Sequence, residues 1–169
     1  MKTYEIASAE VTSKIKALIE AYHPKLEEAG VTIHALFARS SGGNAVTHGG
    51  YPALAVVRIV SLKDRVKGMR DAEIVIDEEN FEELSDAQQD GLLDHELHHL
   101  ETVPDEDGGF ERDKAGRPKL TMRKHDVQIG WFTEIAKRHG VNSPEQIQAR
   151  KLFDKYGQSF FPFLEEKAA

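Results

Sequence analysis

The sequence predicts an α+β fold: an N-terminal helix, a small three- to four-stranded sheet, a central helix, a hairpin and C-terminal helices. Three observations predict it. Val11, Ile15, Leu18, Ile19, Tyr22 and Leu26 recur at helical spacing between Ser8 and Ala29, and Gly30 follows as a stop. Residues 31–39, 53–60 and 72–77 are β-branched, apolar runs bounded by glycine, polar or charged turns, as strands are. Ser85 and Gln88 then stand at capping-box spacing and open a helix expected to reach about Thr102, where Pro104 ends it.

The remaining elements follow in order. Ser40 to Pro52 carries four glycines and reads as a loop; no Gly-Lys-Ser or helix start follows, so it is not a phosphate loop. Residues 104–121 are rich in turn formers, with a hairpin expected over Phe110 to Leu120 around Lys114, Ala115 and Gly116. Helices are expected over Met122 to His139, stopped by Gly140, and from Ser143 to about Tyr156. The 169 residues suit one domain with its core in Val31 to Gly140. Phe160, Phe161 and Phe163 in the tail 157–169 are expected to pack onto it, since exposed they would form a large apolar patch.

The absence of cysteine excludes disulfides, Cys-ligated zinc, iron–sulfur clusters and thiol catalysis. No run approaches a membrane span and the first residues lack an apolar signal core, so a soluble, cytoplasmic protein with no membrane partner is expected. The net charge is −7, and from Asp71 to Asp113 stand 17 acidic residues against one basic, Arg112. Such a centre repels phosphate backbones, and basic residues at 63–70 and 114–124 lack interleaved aromatics, so nucleic acid is not an expected partner.

Within the capped helix stands His95-Glu96-Leu97-His98-His99, an H-E-x-x-H motif. Histidines at i and i+4 share one helical face and can share a Zn²⁺ ion, while a glutamate one residue on points to the open side of the metal, where it can take a proton from bound water. Leu93, Leu97 and Leu100 supply an apolar stripe that anchors the helix and turns His95, Glu96 and His99 toward a cleft. His98 lies off that face and reads as surface or supporting. Asp94 and Glu101 either orient ligands or extend the acidic face.

A hydrolytic zinc site takes a third protein ligand. The candidates are His125, Asp126, Glu134 and His139 downstream, and His23, His34 and His48 upstream. His125 is favoured: it follows the hairpin that reverses the chain and stands early in an expected helix whose buried side is Ile129, Phe132, Ile135 and Ala136, with Trp131 near its edge. Asp126 is the rival, with hydrogen bonding to a histidine or helix capping as its other role.

The helix with His95-Glu96-Leu97-His98-His99, the glycine-containing hairpin and the segment Lys124-His125-Asp126-Val127 together resemble the phage metallopeptidases, minimal zincins related to SprT-like proteins. The resemblance spans about Val31 to Gly140. It implies a minimal zincin-like domain of a phage or prophage, acting in the bacterial host cytoplasm. One zinc ion would be held by His95, His99 and His125, with Glu96 as catalytic acid/base, and a peptide or protein would be the substrate. It also implies that Ala72 to Asp77, the last strand before the metal helix, is the sheet edge that pairs with an extended substrate. The longer metzincin pattern is absent, because Thr102 and Asp105 stand where its Gly and His would be.

The expected activity is therefore zinc-dependent hydrolysis of peptide bonds by Glu96-activated, zinc-bound water. His139, Arg123 and Tyr51 are candidate oxyanion donors. The alternative is a metal-stabilised binding or regulatory protein without turnover, which would favour a fourth protein ligand over a carboxylate facing an open position.

Overall fold

A computed structural model describes residues 1–126 and 131–157. Contacts divide the chain into two compact units, Met1–Lys124 and His125–Ala169. The first holds strands β1 (Lys2–Ile6), β2 (Ile33–Ser40), β3 (Thr47–His48), β4 (Tyr51–Pro52), β5 (Ala55–Ile59), β6 (Ala72–Asp77), β7 (Leu100–Thr102) and β8 (Leu120–Met122). Its helices are α1 (Ala9–Tyr22), α2 (Pro24–Ala29), α3 (Leu62–Val66), α4 (Glu78–Glu82) and α5 (Asp86–His98). The described part of the second unit holds α6 (Thr133–His139) and α7 (Pro144–Leu152).

The main sheet runs β1-β2-β6-β5, with β2 and β6 parallel and the outer pairs antiparallel. Side chains alternate across it. Ala35, Ala55, Val57, Ala72, Ile74 and Ile76 turn to one face and pack with Val11, Ile15 and Leu18 of α1 and with Leu93 and Leu97 of α5, both fully buried. Val56 and Val75 turn to the other face, against Ala45 and Val46 of the glycine-rich loop, where β3 and β4 form a two-residue hairpin.

Several elements differ from the sequence expectation. The N-terminal helix is preceded by β1, a wholly exposed strand whose lack of any buried side chain leaves no pattern to read. The helix itself breaks at Pro24, which cannot continue the α1 hydrogen bonding and instead begins α2. Gly30 ends α2 at φ 71°, the left-handed geometry that favours glycine. Ala72 to Asp77 is not an edge: β6 is flanked by β2 and β5, and the edges are β1 and β5.

The central helix is shorter than expected. Ser85 N–H donates to Gln88 Oε1 at 2.9 Å and opens it as predicted. It stops at His98 because Leu100–Thr102 leave it to pair antiparallel with Leu120–Met122. The hairpin between them is as expected, with Glu111 bonded to both Val103 and Lys119 and its turn closed by Gly116 N–H to Asp113 O. Met122 is thus in a strand, and His125 and Asp126 are non-helical, in place of the helix expected from Met122; α6 is described from Thr133. Ile129 and the phenylalanines of the tail lie outside the described residues.

A buried ion network ties this hairpin to the base of the sheet. Asp71 accepts from Arg117 Nε at 2.9 Å and from Thr32 N–H at 2.8 Å, while Arg65 donates to Val60 O, Asp71 O and Pro118 O. In the second unit, Ser143 caps α7 through Gln146 N–H, and the Gln146 side chain donates to Ala136 O of α6.

Candidate metal centre

Residue chemistry and helical period together place His95 and His99 one turn apart at the end of α5. His99 is the C-cap, yet its backbone stays helical at φ −70° and ψ −18°, so the i, i+4 relationship survives the early end of the helix. The two rings stand edge-on with centroids 5.0 Å apart. His99 Nδ1 lies 2.8 Å from Arg123 O. A carbonyl only accepts, so Nδ1 carries the proton and the ring's lone pair is on Nε2, the tautomer that a second hydrogen bond imposes on metal-binding histidines. Arg123 N–H donates back to His99 O at 2.7 Å, extending the β7–β8 ladder to His99 itself.

The imidazole of His95 is held below its ordinary pKa by desolvation, then by the neighbouring His99 and His98, against an opposing pull from Asp94. It is therefore neutral at physiological pH, the form that binds metal. Between the two histidines, Glu96 is buried, at 6% exposure, on the same helical side as Leu93 and Leu97. Its Oε2 accepts the Val57 backbone N–H at 2.7 Å. Burying a carboxylate is costly unless it is hydrogen-bonded, and the edge strand supplies that bond.

His98 turns away from this pair, as its position implies: its ring is 6.0 Å from that of His23, and both line a cleft of about 460 Å³ with Glu101, Thr102 and Arg123. Asp94 Oδ1 is 2.6 Å from His23 Nε2, tying the α1–α2 junction to α5. His34 is half-buried on β2, and His48 is exposed in the small hairpin. Arg58, exposed at its tip, pairs with the buried Glu73 at 2.5 Å.

In the second unit, His125 is the first residue and Asp126 the next. Glu134 is exposed and paired with Lys137, and His139 is exposed at the end of α6. The sequence reading missed the two backbone groups that bind the motif, Val57 N–H and Arg123 O. Every residue carries such groups, so no residue type signals them.

The H-E-x-x-H helix thus packs against a mixed sheet, its glutamate buried and its two outer histidine rings 5.0 Å apart. The family described as "Putative phage metallopeptidase" matches residues 2–156, and the chain belongs to it. No curated protein and no solved structure matches the chain. Among the described residues, no helix is long and apolar enough to cross a membrane.

Proposed function

We propose that this protein is a zinc-dependent peptidase in which His95, His99 and His125 hold one Zn²⁺ and Glu96 is the general acid/base. The observation that carries this reading is the buried carboxylate of Glu96 on the same helical turn as two imidazoles whose centroids are 5.0 Å apart. The donor set fits the ion: three imidazoles offering one nitrogen each could hold a metal, and three histidines are a ligand set of catalytic rather than structural zinc. His125 follows Arg123 by two residues, and Arg123 is bonded in both directions to His99, which supports His125 as the third ligand. A bound zinc ion would supply Lewis acidity, lowering the pKa of water and polarising a carbonyl.

The chain's own groups perform the rest. Glu96 takes a proton from the attacking water as its oxygen bonds to the scissile carbonyl carbon, and returns that proton to the amine nitrogen as the carbon–nitrogen bond breaks. An extended peptide would add beside β5, the outer strand among the described residues, whose Ala55 and Ile59 amides turn off the sheet. Backbone recognition of that kind accepts many sequences, so the substrate class is an extended peptide or protein segment. A binding protein without turnover would have no use for a buried carboxylate at the metal helix, which weighs against that alternative.

The test is Glu96→Gln. The variant should retain zinc, because Glu96 is not a ligand, and lose about 10² or more in the rate of peptide cleavage. Metal content measured beside cleavage of a peptide library decides it: cleavage at the parent rate by a zinc-loaded variant rejects the mechanism.

A further inference from the structure

The hydrogen bond between β5 and Glu96 has a geometric origin. Asp77 N–H bonds Leu54 O, and Val60 N–H bonds Asp71 O, so the even-numbered residues flanking and within β5 direct their backbone groups to β6. Alternation in an antiparallel pair then turns the N–H groups of Ala55, Val57 and Ile59 off the edge of the sheet. An edge N–H is ordinarily left to water or to an added strand. That of Val57 is given to Glu96 Oε2, in a buried bond at 2.7 Å.

We infer that the Val57 backbone amide is the positioning group for Glu96. It pins Oε2 to the sheet edge, fixes the plane of the carboxylate, and so sets the direction from which Oε1 takes the proton. The edge strand thereby has two duties: its middle amide holds the base, and the amides of Ala55 and Ile59 face outward beside it. This inference rests on the reading of Glu96 as general base for its catalytic consequence, but not for the bond itself.

Two measurements test it separately. Amide hydrogen exchange of the metal-free full chain reads the bond without any activity. Val57 N–H should be protected in the parent and should exchange about 10- to 100-fold faster in Glu96→Ala, the range expected for losing a hydrogen bond to a charged acceptor. Glu96→Gln keeps a carbonyl acceptor and should restore part of the protection, while Ile74 on the inner strand should be unaffected in all three. Equal exchange at Val57 in parent and Glu96→Ala overturns the inference and leaves the peptidase reading standing. The second measurement is kinetic. Val57→Pro deletes an N–H that makes no bond to β6, so the sheet keeps its ladder. It should lower kcat by about tenfold or more with KM little changed, as expected when an interaction with the base, not with bound substrate, is lost. Val57→Ala keeps the amide and should retain both the protection and a higher kcat than Val57→Pro. An equal fall in kcat for the two variants would mean that only the packing of the Val57 side chain matters, and would overturn the inference.

Discussion

His99 and Arg123 hold each other through two backbone-directed bonds, Arg123 N–H to His99 O at 2.7 Å and His99 Nδ1–H to Arg123 O at 2.8 Å. One fixes where the His99 main chain sits and the other fixes which ring nitrogen has the lone pair. Arg123→Pro removes the first donor and displaces the second acceptor. Zinc affinity should fall by about 10- to 100-fold, the usual cost of losing support behind a metal ligand. Arg123→Ala retains both backbone groups and should bind zinc more tightly than the proline variant. Competition titration with a chelating dye measures both, and equal affinities would show that the tie does not matter.

The third ligand is tested by His125→Ala. With two histidines left, zinc should drop well below one equivalent after dialysis, and the melting temperature should lose its dependence on added zinc. Asp126→Asn should be milder and partly restored by excess metal, and His98→Ala, whose ring faces His23, should keep its zinc. If Asp126→Asn strips the metal while His125→Ala retains it, the site is one of two histidines and a carboxylate.

The depressed pKa of His95 gives a pH dependence with a definite sign. Its folded-state value lies below the unfolded value of about 6.5, so the unfolded chain binds more protons in that window. The contribution is fully present above about 6.5 and is lost as the pH falls through the folded value. Zinc binding should weaken in the same direction, since protons compete for the ligand. An NMR titration of the metal-free protein should show the His95 ring titrating below ordinary histidine; a midpoint above it would reverse the prediction.

Asp71 is nearly fully buried between Arg65 and Arg117, with Thr32 on its other oxygen. Asp71→Ala takes the carboxylate from Arg117 and leaves Arg65 with only Asp113, at 3.8 Å, and should destabilise the protein by about 3–5 kcal/mol, as expected for breaking a buried ion pair. Urea denaturation of the zinc-free protein measures this apart from any effect on metal. A loss below about 1 kcal/mol would place the pair among weak surface bridges.

Much of the scaffold is written locally. The sequence alone determined the amphipathic face of α1, the strands β2, β5 and β6, the capped start of α5 and the hairpin turn at Gly116, because periodicity, capping and turn chemistry act over a few residues. It also determined the H-E-x-x-H face, since helical period places His95 and His99 together once a helix exists. Tertiary structure decided where α5 ends, because the pairing of Leu100–Thr102 with Leu120–Met122 outweighs the helical propensity of the residues after His98. It decided that β6 is an inner strand and β5 an edge, since the order of strands depends on contacts between segments far apart in sequence. It also decided which backbone groups meet the motif. Val57 N–H and Arg123 O reach Glu96 and His99 across 39 and 24 residues, a relationship between chemically ordinary groups that only the folded chain can create.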